Sequence, residues 1–445
     1  MSSSWIGRVV RYGTLLVSSC VAGNVTGAGF ALNETSAGAA GTAYAGRAAN
    51  PEDASIMSAN PAGIAFLDAH QFTIGGGLVV PREKYSHGEG KDSTGSPVTN
   101  LPTKGQFMDA KEVAFGFFSM PLDGPLGVGL GVYIPYAAAT EYEDDFVGRY
   151  LALNTELIAT NFQPTFSWKF SDQFAFGIGL ILSHLDGELV QVKGNGPLVT
   201  DNSESIMTGH DWGYGWNAGF IWRPDNDLSI GVAYTSRINY IVEGDVELKG
   251  YFLNAKSDAY VELTLPEKWE LSGVYQLNDR WTVMAGAIWT RWSCFDEIKV
   301  IADDGLTLSP PQVPDVPAGG VASYTPENWK NVWAWSVGTA YRYNREWLFK
   351  VGYSYDASPV RNAWRTARIP DVDRKWLTLG ASYQPAPDYT VDLAYGHMLD
   401  RHTKVNEHEY NWNNATGGVT QGSASYKARY KLGANVLVMS LTHRL

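Results

Sequence analysis

Residues 261–277 read VELTLPEKWELSGVYQL. Val261, Leu263, Leu265, Trp269, Leu271, Gly273, Tyr275 and Leu277 recur at a spacing of two, while Glu262, Thr264, Lys268, Glu270, Ser272 and Gln276 take the alternate positions. Successive side chains of a β-strand point to opposite faces, so the stretch predicts a single strand with one apolar and one polar face. Its length exceeds the roughly 9 to 11 residues a tilted strand needs to cross a bilayer. Strands of soluble sandwiches run about 5 to 6 residues. The stretch therefore reads as part of a membrane-crossing wall.

Tight-turn residues punctuate the chain on both sides of it. Pro121-Leu-Asp-Gly-Pro125, Ser171-Asp172-Gln173, Pro224-Asp-Asn-Asp227, Leu277-Asn-Asp-Arg280, Tyr343-Asn-Arg-Glu346 and Pro385-Ala-Pro-Asp388 each separate two strand-like runs. Longer polar connections alternate with them, around residues 82–108, 138–155, 193–210, 249–258, 301–328, 361–371 and 403–420. Alternating short and long connections predict about fourteen antiparallel strands in a closed barrel, short turns at one end and long loops at the other. The expected fold class is thus all-β, a 14-stranded antiparallel transmembrane β-barrel. With 16 Trp, 24 Tyr and 17 Phe the chain can build aromatic girdles, and Trp168, Trp222, Trp281, Trp329 and Trp376 stand near strand ends.

The first residues do not belong to this pattern. Arg8 and Arg11 precede an apolar run from Tyr12 to Ala22 and then small residues, a secretory leader over 1–27; Cys20 in Val17-Ser18-Ser19-Cys20 also allows a lipoprotein signal. Without the leader Cys294 is the one cysteine left, so no internal disulfide is expected. The stretch 28–68 that follows is rich in Gly, Ala, Ser and Asn and has no sustained apolar period, so it cannot bury a core of its own. It needs a container. The expected organisation is a lumenal plug over 28–70 and a barrel over 71–445. A formal charge of −12 argues against nucleic acid as a partner.

Two strands carry unusual residues. Leu126 to Ala137 contains Pro135, which donates no ladder hydrogen bond, so a strand end or a kink that opens the wall is expected there. In the last strand Tyr426, Ala428, Tyr430 and Leu432 alternate with Lys427, Arg429 and Lys431. A cation facing lipid near the midplane costs about 2 to 4 kcal/mol, so the three basic residues are expected in the lumen, paired with acids such as Glu262 or Glu270 or bound to an anionic head group. Eight histidines lack the i, i+4 spacing of a helical metal site, and Glu141 to Asp145 reads as a solvated loop, so neither metal nor cofactor is expected. Ser183 and His184 are adjacent and point to opposite faces, which disfavours a lipid hydrolase.

Taken in order, Ala28-Gly29-Phe30 with Leu32-Asn33-Glu34, Asn60-Pro61-Ala62, DWGYGWNAG at 211–219, LPEKWELSG at 265–273, Trp292-Ser293 with Phe295, Ser358-Pro359-Val360, IPDVDRKWL at 369–377 and Lys404-Val405-Asn406-Glu407 resemble the FadL family of Gram-negative outer-membrane transporters. The resemblance implies a monomeric barrel in outer-membrane lipid and lipopolysaccharide that passively carries long-chain fatty acids or other hydrophobic compounds, with an N-terminal hatch inside. It also implies that Asn60, Pro61 and Ala62 lie near a gap at Pro135 and Tyr136 through which ligand leaves sideways, and that Phe30 and Lys299 touch ligand; Lys427 and Arg429 are ligand candidates from the alternation of the last strand alone. Asp186 falls where fatty-acid members have a pocket arginine, and alternation puts Lys299 toward lipid unless a bulge intervenes. Both departures raise the alternative of a neutral aromatic or aliphatic hydrocarbon. The polar stretch 193–210 replaces a longer apolar loop of the family.

Overall fold

The computed structural model describes residues 29–192, 204–249, 255–307 and 316–445. The leader expected over 1–27 and much of the connection at 193–210 lie outside the described residues.

Fourteen strands form a closed antiparallel ring. In chain order they are β1 (Gln71–Pro81), β2 (Lys111–Pro121), β3 (Leu126–Glu141), β4 (Asn154–Lys169), β5 (Phe174–Val192), β6 (Glu204–Trp222) and β7 (Leu228–Thr235). The second half is β8 (Lys268–Gln276), β9 (Trp281–Thr290), β10 (Val332–Arg342), β11 (Trp347–Asp356), β12 (Arg374–Ala386), β13 (Tyr389–Met398) and β14 (Ala434–Arg444). Each pairs with the next, and β14 closes on β1 from Gln71↔Arg444 to Pro81↔Ala434.

The short turns fall where the sequence places them, and side chains hold them. Asp225 Oδ1 accepts from the backbone of Asp227 and Leu228, Asn278 Oδ1 from Arg280 and Trp281, and Asn344 Oδ1 from Glu346 and Trp347. The long connections are more ordered than expected. Most are strand extensions beyond the ring: Lys84–Lys91, Ile238–Lys249, Ala255–Leu265, Glu297–Ala302, Gly320–Pro326, and a hairpin of Arg401–Asn413 with Gly418–Leu432 that fills the predicted loop at 403–420.

Over much of the ring large apolar residues face out and small ones face in, although Phe115 and Phe117 of β2 point into the lumen. On β5, Phe174, Phe176, Ile178 and Leu180 are exposed, while Ala175, Gly177 and Gly179 are buried. The reason is the segment from Gly29 to His70, which fills the lumen. It forms one short helix, Ala37–Ala40, and two 3₁₀ turns, Ala54–Ser58 and Pro61–Phe66. A Cβ on Gly177 of β5 would collide with the Pro61–Ala62 backbone, and one on Gly352 of β11 with Thr42–Ala43. Contacts with strands on opposite sides of the ring are possible only from inside it.

Three expectations change. Residues 261–277 are two strands broken at Pro266-Glu267, and the wall shifts phase at the break: Leu265 is 1% exposed and faces in, Trp269 is 50% exposed and faces out. Trp168, Trp222 and Trp281 are exposed near strand ends, but Trp329 and Trp376 are buried inside and belong to no girdle. Lys427, Arg429 and Lys431 lie on the exposed face, with Tyr426, Ala428, Tyr430 and Leu432 turned inward, because Gly418–Leu432 stands above the ring, where the outer surface is polar. Lys431 pairs with Asp400 at 2.7 Å, and Glu270 pairs with Arg47 instead.

Candidate functional site

The third strand carries the break in the wall. β3 pairs with β2 from Pro121↔Gly127 up to Gly116↔Val132 and there leaves it. Against β4, Tyr133 faces Asn161 while Tyr136 faces Ala159, so one extra residue is inserted at Ile134-Pro135. Pro135 has no N–H to lose, which makes a bulge inexpensive here. Contact with the chain leading into β2 resumes higher up, where Glu141 N–H donates to the Phe107 carbonyl at 2.9 Å. Between these points lies a window in the ladder.

The N-terminal segment closes that window. Leu32 N–H donates to the Pro135 carbonyl at 2.8 Å, Ala137 N–H to the Phe30 carbonyl at 2.9 Å, and Ala31 bridges to Tyr136. The kinked half of β3 thus exchanges its β2 ladder for residues 30–32. The Leu32 side chain packs with Val113 of β2, Ile134 and Ala137 of β3 and Ile158 of β4. It fills the space between the parted strands.

Two residues earlier, Phe30 fills an aromatic pocket. Its ring centroid lies 6.0 Å from Tyr136, 4.8 Å from Trp292, 5.3 Å from Phe295 and 5.6 Å from Trp329. Leu263, Leu265, Val360 and Ile369 join the same cluster. The pocket exists because the wall is interrupted next to it: 266–267, 291–296 and 327–331 are breaks between ring strands and their extensions, and the last two turn Trp292 and Trp329 inward. Trp329 Nε1 donates to Glu327 Oε2 at 2.8 Å. Burial pushes the Glu327 carboxyl up to about 8.

Charged groups fix the segment at its start and near its middle. Gly29 N–H donates to Asp371 Oδ2 at 3.0 Å, and Arg374, paired with Asp371 at 2.5 Å, donates to the Gly29 carbonyl at 3.2 Å. Deeper in the lumen Arg47 makes a bidentate pair with Glu270 of β8 at 2.7 and 3.0 Å. Lys350 of β11, 2% exposed, donates to Glu52 at 2.6 Å and to the Gly38 carbonyl at 3.1 Å. Buried ions of this kind are stable only while paired.

The residues singled out in the sequence are thus distributed over several places. Phe30, Pro135 and Tyr136 meet at the pocket and window. Asn60, Pro61 and Ala62 do not face Pro135: Asn60 caps its 3₁₀ turn, donates to the carbonyls of Ala48 (2.8 Å) and Phe220 of β6 (3.1 Å), and packs under β5. Their nearest route to the kink is polar, from Met57 carbonyl to Gln163 (2.8 Å) and on to Tyr133 at 2.5 Å. Lys299 shares a strand face with Glu297, its partner at 3.2 Å, and lies over the Trp412 ring; Ile298 and Val300 take the pocket side. Asp186 is exposed, and Ile181 and Leu185 are fifth-strand residues that join the pocket cluster. Leu32, Trp329, Arg47 and Lys350 were not foreseen. Arg47 could have been, since a cation inside a segment that must be buried requires a buried acid.

A closed fourteen-stranded barrel with an apolar outer belt, a filled lumen and an aromatic pocket beside a breach in the wall is the architecture of an outer-membrane transport protein. The family model described as "Outer membrane protein transport protein (OMPP1/FadL/TodX)" matches residues 18–445, and the chain belongs to that family. It is 28% identical over 423 residues to the long-chain fatty acid transport protein of Escherichia coli O6:H1, covering 86% of this chain and 89% of that one. The crystal structure of a Pseudomonas aeruginosa FadL homologue superposes with a TM-score of 0.80 at 25% identity, over 94% of this chain and all of the other. The Pseudomonas putida toluene transporter TodX shares the fold, with a TM-score of 0.66 at 17% identity over 88% and 94% of the two chains.

Proposed function

We propose that this protein passively carries long-chain fatty acids or related hydrophobic compounds across the outer membrane and releases them sideways through the window at the kinked third strand. One observation carries the reading: the same three residues, 30–32, fill the aromatic pocket and close the window. A ligand that displaces Phe30 must disturb the pairing with Pro135 and Tyr136, and so withdraw Leu32. Lateral exit suits the cargo, because an acyl chain gains about 0.8 kcal/mol per buried CH₂ in lipid and gains nothing in a water-filled lumen. Residues 28–70 act as the hatch. A ring without free edges and with an apolar belt needs no second copy, which supports a monomer.

A second reading, uptake of neutral aromatic or aliphatic hydrocarbons, draws on Asp186 and Lys299 both pointing away from the pocket. Mass spectrometry of ligand retained by the purified protein, with labelled oleate and toluene uptake in cells, separates the two. Oleate retained and imported supports the first reading, and toluene alone supports the second. Unchanged uptake after Phe30→Ala and after removal of residues 28–68 would refute both.

A further inference from the structure

Above β14, three adjacent strand segments present cations outward. Lys427, Arg429 and Lys431 on Gly418–Leu432, Lys84 on Lys84–Lys91 and Lys404 on Arg401–Asn413 are all exposed. The register sets like charges face to face, with Lys84 opposite Lys431 and Lys404 opposite Arg429. Such cross-strand pairs are destabilising. Among the described residues Lys84, Lys404, Lys427 and Arg429 make no ion pair, in a chain whose net charge is −12. The nearest exposed acid in register is Glu89, beside Lys427.

The patch sits at a defined height on the wall. Val80, Tyr395 and Leu437 are the last exposed apolar residues below it. Next comes Asn435, whose Oδ1 contacts the Tyr395 hydroxyl and His397 Nδ1, each at 2.9 Å. Then come the ion pairs of Asp400 with Arg82 (2.9 Å) and Lys431 (2.7 Å), with Lys84 level with Lys431, and above these Lys404, Lys427 and Arg429. From Val80 to Lys84 is at most about 14 Å of extended chain at roughly 3.4 Å per residue. Apolar, neutral polar, paired and unpaired charge follow one another as acyl chain, glycerol or sugar and phosphate do in a leaflet.

We propose that this flank binds lipopolysaccharide of the outer leaflet, with Lys84, Lys404, Lys427 and Arg429 on the phosphates of its glucosamine base and the anionic inner-core sugars. The face points sideways at head-group level and is continuous with the lipid-facing belt, which favours a membrane glycolipid over an anion captured from solution. The assignment rests on the placement of the barrel in the outer membrane and not on which ligand it carries.

The test compares the full-length protein with a Lys404→Gln/Lys427→Gln/Arg429→Gln variant and with Lys330→Gln, an exposed control elsewhere, each checked for heat-modifiable migration. Binding of purified lipopolysaccharide, and of its dephosphorylated core-free form, is measured at low and high salt. The proposal expects salt-sensitive binding by the wild type and the control, and on the order of a hundredfold weaker binding by the triple variant. The dephosphorylated form should bind as weakly to all three. Equal binding of both lipids, or by all three proteins, overturns it. So does a triple variant that keeps its lipopolysaccharide but imports labelled oleate more slowly, since the patch would then steer substrate.

Discussion

Leu32 donates its backbone N–H to the carbonyl of Pro135 across 2.8 Å, in the place where β2 would otherwise pair with β3. The wall is completed by a residue that does not belong to it. A barrel strand has two obligatory partners, and β3 takes one of them from the N-terminal segment over the length of its kink.

Leu32→Ala removes the side chain that fills the window while leaving its backbone bonds. Labelled fatty acid uptake is expected to rise severalfold, with the heat-modifiable mobility of the barrel unchanged. The local cost is about 2 to 4 kcal/mol for truncating a buried leucine. Uptake at or below the wild-type rate would show that Leu32 does not limit exit.

Deleting Pro135 removes the inserted residue and makes the register from Tyr133↔Asn161 to Tyr136↔Ala159 continuous. The upper half of β3 can then pair with Lys111–Phe115 of β2. Uptake is expected to fall at least about tenfold while ligand binding to the purified protein persists, a split that calorimetry alongside transport assays detects.

Lys350→Met leaves Glu52 and Asp392 without their cation, at a cost of about 3 kcal/mol borne by the lumenal segment. Hydrogen exchange of residues 36–58 should speed up and single-channel conductance should rise, with the barrel strands unaffected. Adding Glu52→Gln should restore part of the protection.

The pocket should weaken as pH rises. The Glu327 carboxyl is held near 8 chiefly by burial, with Glu407 adding to the shift and Arg368 and the Trp329 N–H opposing it. It therefore keeps its proton in the fold while an unfolded glutamate has lost it. Stability falls as pH climbs from about 4.5 to 8 and levels off above. Glu327→Gln, which still accepts from Trp329, should flatten this slope in thermal melts between pH 5 and 9; parallel slopes for the two proteins would assign the effect elsewhere.

What the sequence made legible was the set of features that act through the backbone alone. Asp225, Asn278 and Asn344 close turns wherever they occur, and Pro135 disrupts a ladder in any strand. What it concealed was which side of each strand is inside. Below the outer membrane surface apolar residues face lipid, and above it they face the lumen, so a strand crossing that boundary must exchange its apolar face. The last strand does so by changing its pattern: Tyr426 to Leu432 are apolar at even positions and buried, whereas Leu437, Met439 and Leu441 are apolar at odd positions and exposed. The strand at 261–277 keeps its pattern and breaks its backbone phase at Pro266-Glu267 instead. Its period of two, lost only at Pro266-Glu267, therefore hides an interruption. The basic stripe at 427–431 was misplaced for the same reason, since it stands above the boundary where a cation facing out meets water and head groups.

The pocket escaped for a different reason. Trp329 reads as a strand-end aromatic and Trp292 only as part of a motif, and breaks in neighbouring strands at one height turn both toward Phe30. Asn60-Pro61-Ala62 was recognisable as an element, yet its seat under β5 and β6 is set by Gly177 and Gly219, which look in sequence like any other strand glycines.

If residues 30–32 must leave β3 for ligand to pass, tethering them to it stops transport. Ala31 and Tyr136 form a bridge pair, close enough for a disulfide, whose Cα separations run about 4.4 to 6.8 Å. In a Cys294→Ser background, Ala31→Cys with Tyr136→Cys tethers the segment to the wall. Labelled oleate uptake measured before and after reduction is predicted to be near zero in the oxidised protein and to recover with reductant. Equal uptake in both states, with the disulfide verified by mass spectrometry, would contradict it.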